Sequence, residues 1–181
     1  GDESGAVKPW LGAVRTPKIA PPIDNSNPAI SMNLQWVHGY TCGSTCNTRV
    51  SKNLWYASDG NPVYPAAALG VKLIKSQTGG SPSQQFYRGH NDDILCMAVD
   101  PERRYVATGQ VASKSSRGKG SISIWDSRDC RELFRMNGCH QRGVTSLAFS
   151  PDGTQLISVG QDNKNTHKLW TDVGGNWCRV Q

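Results

Sequence analysis

Four groups of residues in this 181-residue chain have types and spacings that bear on chemistry. The first is His38, Cys42 and Cys46. A Cys-x3-Cys pair with a nearby histidine can begin a zinc site, but a tetrahedral set needs a fourth ligand, for which Cys139 or His140 would have to serve. The stretch around the two thiols is rich in Gly, Ser and Thr, so free thiols in a polar loop are the simpler reading, and no metal or other cofactor is expected. The second group is His90 and His140, histidines of the kind that act as general bases or ligands. The third is Asp92-Asp93, a carboxylate pair placed directly after Gly89-His90, where an acidic residue supports a turn. The fourth is the basic cluster Lys114, Arg117 and Lys119, suited to an acidic partner. There is no Gly-rich phosphate loop before a helix, no nucleophile elbow and no His-Glu-x-x-His, so the chain is not expected to be an enzyme.

The elements that must position these residues repeat. His90 recurs as His140 and Pro101 as Pro151, both at an offset of 50, while Trp125 recurs as Trp170 at an offset of 45. The difference falls in residues 113–120, a Ser/Gly/Lys stretch longer than its counterpart 163–166, as a loop insertion on a shared framework would be. A period near 45 residues, with a Gly-His start, a Trp-Asp end and four short strand-like runs, is the signature of WD-repeat propeller blades. Strands are expected near 94–99, 105–108, 121–125 and 132–135, and again near 144–149, 155–159, 167–170 and 177–180. The turns Asp100-Pro101-Glu102-Arg103 and Ser150-Pro151-Asp152-Gly153 separate the first two strands of each set. No helical period of useful length is present, and the class is all-β.

In the second repeat His140, Ser158, Asp162 and Trp170 stand where WD repeats keep a hydrogen-bonded tetrad that ties the strands of a blade together. In the first, His90, Thr108 and Trp125 are present, but Val111 or Ala112 stands where Asp162 would match, so that tetrad is expected to be incomplete. The repeat thus accounts for both histidines without catalysis.

Residues 1–33 contain Pro9, Pro17, Pro21, Pro22 and Pro28 and read as an extended linker, with one docked anchor at 8–13. Residues 34–88 hold four more short runs and form a blade-like sheet, followed by WD blades at 89–136 and 137–181. Three blade-sized units fall short of the roughly 4–8 that close a ring. The chain is therefore read as a fragment of a larger propeller, or as one whose edges are covered by other blades of the same or a neighbouring chain. The net charge is +6, which suits a nucleic acid, an anionic surface or an acidic polymer. Aromatics are not interleaved with the basic cluster, so nucleic acid ranks last. No apolar stretch is long enough for a membrane span, and a reduced, cytosolic setting fits the six cysteines.

The strings LQWVHGYTCGSTC, NLWYASDGNPVYPAAALGV and FYRGHNDDILCMAVDPERRYVATGQV, in that order, closely resemble the echinoderm microtubule-associated protein-like (EML) family. There a hydrophobic HELP segment carrying WVHGY runs into GHNDDI and VATGQ of the first WD blade. Here the segment 42–51 is longer and more polar than the family's usual loop. The resemblance implies a HELP segment packed into a partial β-propeller. It implies a non-enzymatic scaffold that binds tubulin or microtubules, located in the cytoplasm on the microtubule cytoskeleton, the cilium and its axoneme included. The alternative is a general interaction scaffold without microtubule contact. Lys114, Arg117 and Lys119 are the candidate contacts for the acidic partner.

Overall fold

The computed structural model describes residues 18–19, 22–23, 25–26, 30–41, 53–76, 78–113 and 117–180. Residues 1–33 and 34–181 are separate compact units, and the second carries all the strands. The anchor at 8–13, the thiols Cys42 and Cys46, and Lys114 lie outside the described residues.

Twelve strands form three four-stranded antiparallel sheets, and the described residues contain no helix. The first sheet is β1 (Trp55–Tyr56), β2 (Pro62–Ala66), β3 (Leu69–Ile74) and β4 (Ser83–Tyr87). The second is β5 (Ile94–Val99), β6 (Tyr105–Gln110), β7 (Lys119–Asp126) and β8 (Glu132–Gln141). The third is β9 (Val144–Phe149), β10 (Gln155–Gly160), β11 (His167–Val173) and β12 (Asn176–Arg179). Each is a meander in chain order, as hairpin connections dictate.

The middle sheet is buried on both faces, and its sequence says why. Along β7, Ile122 and Ile124 point to one side and Trp125 to the other, as the two-residue period of a strand requires. Ile122 and Ile124 join Cys96, Ala98, Leu147, Leu156 and Trp170 in a core shared with the third sheet. Trp125 joins Val63, Tyr87, Met97 and Val106 in a core shared with the first. Neither outer sheet could bury its apolar face alone, so the stack supplies the core.

The expected loop at 113–120 needs correction. Lys119 and Gly120 are not loop residues: they open β7 and pair with Gln141 and His140 at the far end of the ten-residue β8. The polar loop at 113–120 is therefore shorter than its composition implies, because β8 runs well beyond residue 135 and offers β7 a partner there.

The two Pro turns match in geometry. Arg103 N–H donates to Asp100 O at 2.8 Å, and Gly153 N–H to Ser150 O at 2.9 Å. Their last residues share a left-handed backbone, with φ 59° at Arg103 and 73° at Gly153. Glycine adopts that conformation without a Cβ clash and arginine does not.

Candidate functional site

The structure draws His90, Thr108 and Trp125 together inside the second sheet. His90 Nε2 lies 2.7 Å from Thr108 Oγ1, and Trp125 Nε1–H donates to the same hydroxyl at 3.2 Å. The first-repeat tetrad is not incomplete. Gln110, rather than Val111 or Ala112, takes the fourth place, with its Oε1 2.6 Å from His90 Nδ1. The amide nitrogen of Gln110 donates onward to Asn91 Oδ1 at 2.7 Å.

The third sheet repeats the arrangement by another route. His140 Nε2 lies 2.8 Å from Ser158 Oγ, and Trp170 Nε1–H donates to that oxygen at 2.9 Å. The ring nitrogens of His140 meet Thr166 and Ser158, not Asp162. The Asp162 carboxylate accepts the Thr166 hydroxyl and the Thr166 and Lys164 amides, and Thr166 Oγ1 stands 3.4 Å from His140 Nδ1. The registers explain the difference. Ile94 pairs with Gln110 across one β-bulge, and Val144 pairs with Gly160 across the equivalent one. A Cβ on Gly160 would lie 2.5 Å from His140 Nδ1 and 2.7 Å from Asp162 Oδ2. Glycine leaves room there for Asp162 and Thr166, whereas Gln110 fills the matching place with its own side chain.

Burial holds both histidines down at about 4, so they are neutral at pH 7. At His90, Arg135 adds to burial while Gln110 and Glu132 oppose it. At His140, burial is joined by Lys168 and Arg179, with Asp162 opposing. Neither ring sits in a metal set: among the described residues no three His, Cys, Asp or Glu side chains converge. Cys139 is buried, with its thiol donating to Met136 O at 2.9 Å. His38 is exposed beside Trp36. Asp92 and Asp93 serve a turn: Asp92 Oδ1 accepts the Asp93 amide at 2.9 Å, and Asp93 O accepts the Val111 amide at 2.9 Å.

The first and second sheets are joined by polar contacts as well as by packing. Lys72 on β3 is 2% exposed, yet its ammonium donates to Arg128 O at 2.7 Å and pairs with Asp59 at 2.6 Å. Burial would raise the Asp59 carboxyl, but Lys72 and Asn61 hold it below its usual range. Tyr87 on β4 donates its hydroxyl to Glu132, and Arg135 donates to Glu132 at 2.6 Å, to Tyr87 Oη at 3.1 Å and to Gly89 O. Burial, then the Glu132 carboxylate, pushes the Tyr87 phenol up to about 12.

Of the predicted basic cluster, Arg117 and Lys119 are exposed. Lys119 lines a cleft of about 670 Å³ whose other cations are Arg142, Lys164, Lys168 and Arg179, with Asp162 as its one carboxylate. Sequence reasoning missed these four because they come from the β8–β9 turn, the β10–β11 loop, β11 and β12. Only the repeat fold brings them together.

Comparison with known proteins agrees with this architecture. A HELP motif matches residues 27–71, and WD G-beta repeats match 80–126 and 131–170. A solved chain titled "Structure of U3-55K" superposes with a TM-score of 0.53 at 25% identity, covering 69% of this chain and 37% of that one. Stacked four-stranded sheets, WD repeats and a HELP motif define a WD-repeat protein built of propeller blades. Human "Echinoderm microtubule-associated protein-like 1" is 37% identical over 150 residues, covering 79% of this chain and 17% of that protein. Rat "Echinoderm microtubule-associated protein-like 2" is 32% identical over 183 residues, covering 93% and 27%. The "77 kDa echinoderm microtubule-associated protein" of Lytechinus variegatus is 34% identical over 147 residues, covering 79% and 21%. The chain belongs to the echinoderm microtubule-associated protein-like family. It spans between 17% and 27% of the length of these relatives.

Proposed function

We propose that this chain is a non-enzymatic scaffold of the microtubule cytoskeleton and that its basic surface contacts tubulin, on cytoplasmic or axonemal microtubules. The observation that carries the reading is kinship: relatives named as microtubule-associated align with 79% to 93% of the chain. Charge supports it, since a net +6 favours an acidic polymer. In this reading residues 34–88 are the HELP-type sheet, 89–136 and 137–181 are WD blades, and 1–33 are a linker. The two His-hydroxyl-Trp sets fasten their blades and take no part in chemistry.

Co-sedimentation with stabilised microtubules tests the reading. The chain is expected to pellet at about 50 mM salt and to be released at about 300 mM, as screening of surface charge requires. Failure to pellet at low salt overturns it in favour of an interaction scaffold without microtubule contact.

A further inference from the structure

We infer that the basic cleft between the far end of β7–β8 and the third sheet is a docking site for a run of consecutive carboxylates on an extended acidic peptide. This deepens the microtubule reading by naming the chemistry the chain recognises and where it does so.

The cleft has the size of a ligand site, about 670 Å³. Four of its cations form no salt bridge among the described residues. The salt bridges among the described residues involve Lys72, Arg104, Arg128, Arg131 and Arg135, all outside the cleft. Arg142, Lys164, Lys168 and Arg179 have no carboxylate within ion-pair reach among the described residues. Arg142 donates instead to Asn163 Oδ1 at 2.7 Å, and Lys168 to Cys139 O. Unneutralised like charges crowded round one depression repel each other, and an anion relieves that repulsion. Their field already reaches inward: after burial, Lys168 and Arg179 are what hold His140 low. The single acidic side chain, Asp162, is turned to the Thr166 hydroxyl and the loop amides, so its charge is already engaged.

The form of the site selects the class of anion. Five cations come from five separate segments of the lining, which matches several carboxylates in series better than one phosphate. No Trp, Tyr or Phe lines it, so the stacking platforms that hold single-stranded nucleic acid are missing. An extended peptide rich in glutamate or aspartate satisfies both features.

The test is fluorescence anisotropy of the 181-residue chain with a labelled glutamate-rich decapeptide, a neutral decapeptide and a single-stranded RNA of equal length. The set is repeated on the triple variant Lys119→Glu, Lys164→Glu, Arg179→Glu and on Lys75→Glu, an exposed control outside the cleft. Circular dichroism melts check that each variant is folded. The acidic peptide is expected to bind at low salt, with affinity at least tenfold weaker in the triple variant and unchanged in Lys75→Glu. Equal binding by wild type and a folded triple variant, or RNA binding as tight as the peptide, overturns the inference. An unfolded triple variant is replaced by the single Arg179→Glu change, which must weaken the peptide measurably or the inference falls. Microtubule pelleting runs in parallel: pelleting without peptide binding sinks the acidic cleft and leaves the microtubule reading standing. Peptide binding without pelleting does the reverse.

Discussion

The ring of Tyr87 lies flat on Trp125, with centroids 5.3 Å apart and planes 6° from parallel. One ring belongs to the first sheet and the other to the second, and Gly70 packs against both. A Cβ on Gly70 would meet Trp125 Cζ2 at 2.8 Å and Tyr87 Cβ at 3.1 Å. Trp125 is fully buried. Replacing it with alanine is expected to cost about 3–5 kcal/mol, and Gly70→Ala about 1–3 kcal/mol through overpacking. Tyr87→Phe keeps the stack and removes only the hydroxyl from Glu132, so it is expected to cost about 1–2 kcal/mol. Urea unfolding measures all three, and a Gly70→Ala loss below about 0.5 kcal/mol would refute the tight fit.

Gln110 completes the buried chain in the first blade. Gln110→Ala leaves His90 Nδ1 without its partner and is expected to destabilise by about 1–3 kcal/mol, with the blade's four strands retained by circular dichroism. A neutral result would mean that water or Asn91 takes over the contact.

The contrast between Gln110 and Asp162 shows what the sequence displays and what it hides. The Gly-His and Trp-Asp landmarks, the Pro turns and the alternating apolar runs announce the blades, because strand period and turn chemistry are local. The partner of His90 is not local. It depends on a register across a bulge, and an offset of 50 from Asp162 lands on Ala112, two residues away. The cleft cations are hidden for the same reason, being scattered from Lys119 to Arg179. The extension of β8 is missed because residues 136–141 alternate poorly, with Asn137 and Gly138 both exposed.

The low histidines set an acid limit. Their ordinary pKa, about 6.5 in an unfolded chain, falls to about 4 in the fold. The unfolded state therefore binds more protons between these values, and stability falls as pH drops from about 6.5 towards 4. The loss is bounded by about 3 kcal/mol at each histidine, because both fall by the same amount. Below pH 4 both states are protonated and this source adds nothing more. Melting temperatures recorded across that range should fall for the wild type. They should fall less for His90→Gln, and an equal slope would show that His90 is not responsible.

Arg103 and Gly153 hold equivalent left-handed positions. Gly153→Val is expected to destabilise by about 1–2 kcal/mol, because its Cβ is forced into that conformation. Arg103→Gly should be neutral or slightly stabilising, since relief of the same strain is offset by a freer unfolded chain. A large loss on Arg103→Gly, read by thermal melting, would mean that the side chain matters more than the backbone.

The sheltered ammonium of Lys72 also works as a built-in reporter. Acylating reagents that modify the exposed amine of Lys75, three residues along the same segment, should leave Lys72 untouched while the two sheets remain joined. Peptide mapping after brief labelling would then time the opening of that joint directly, without any engineered probe.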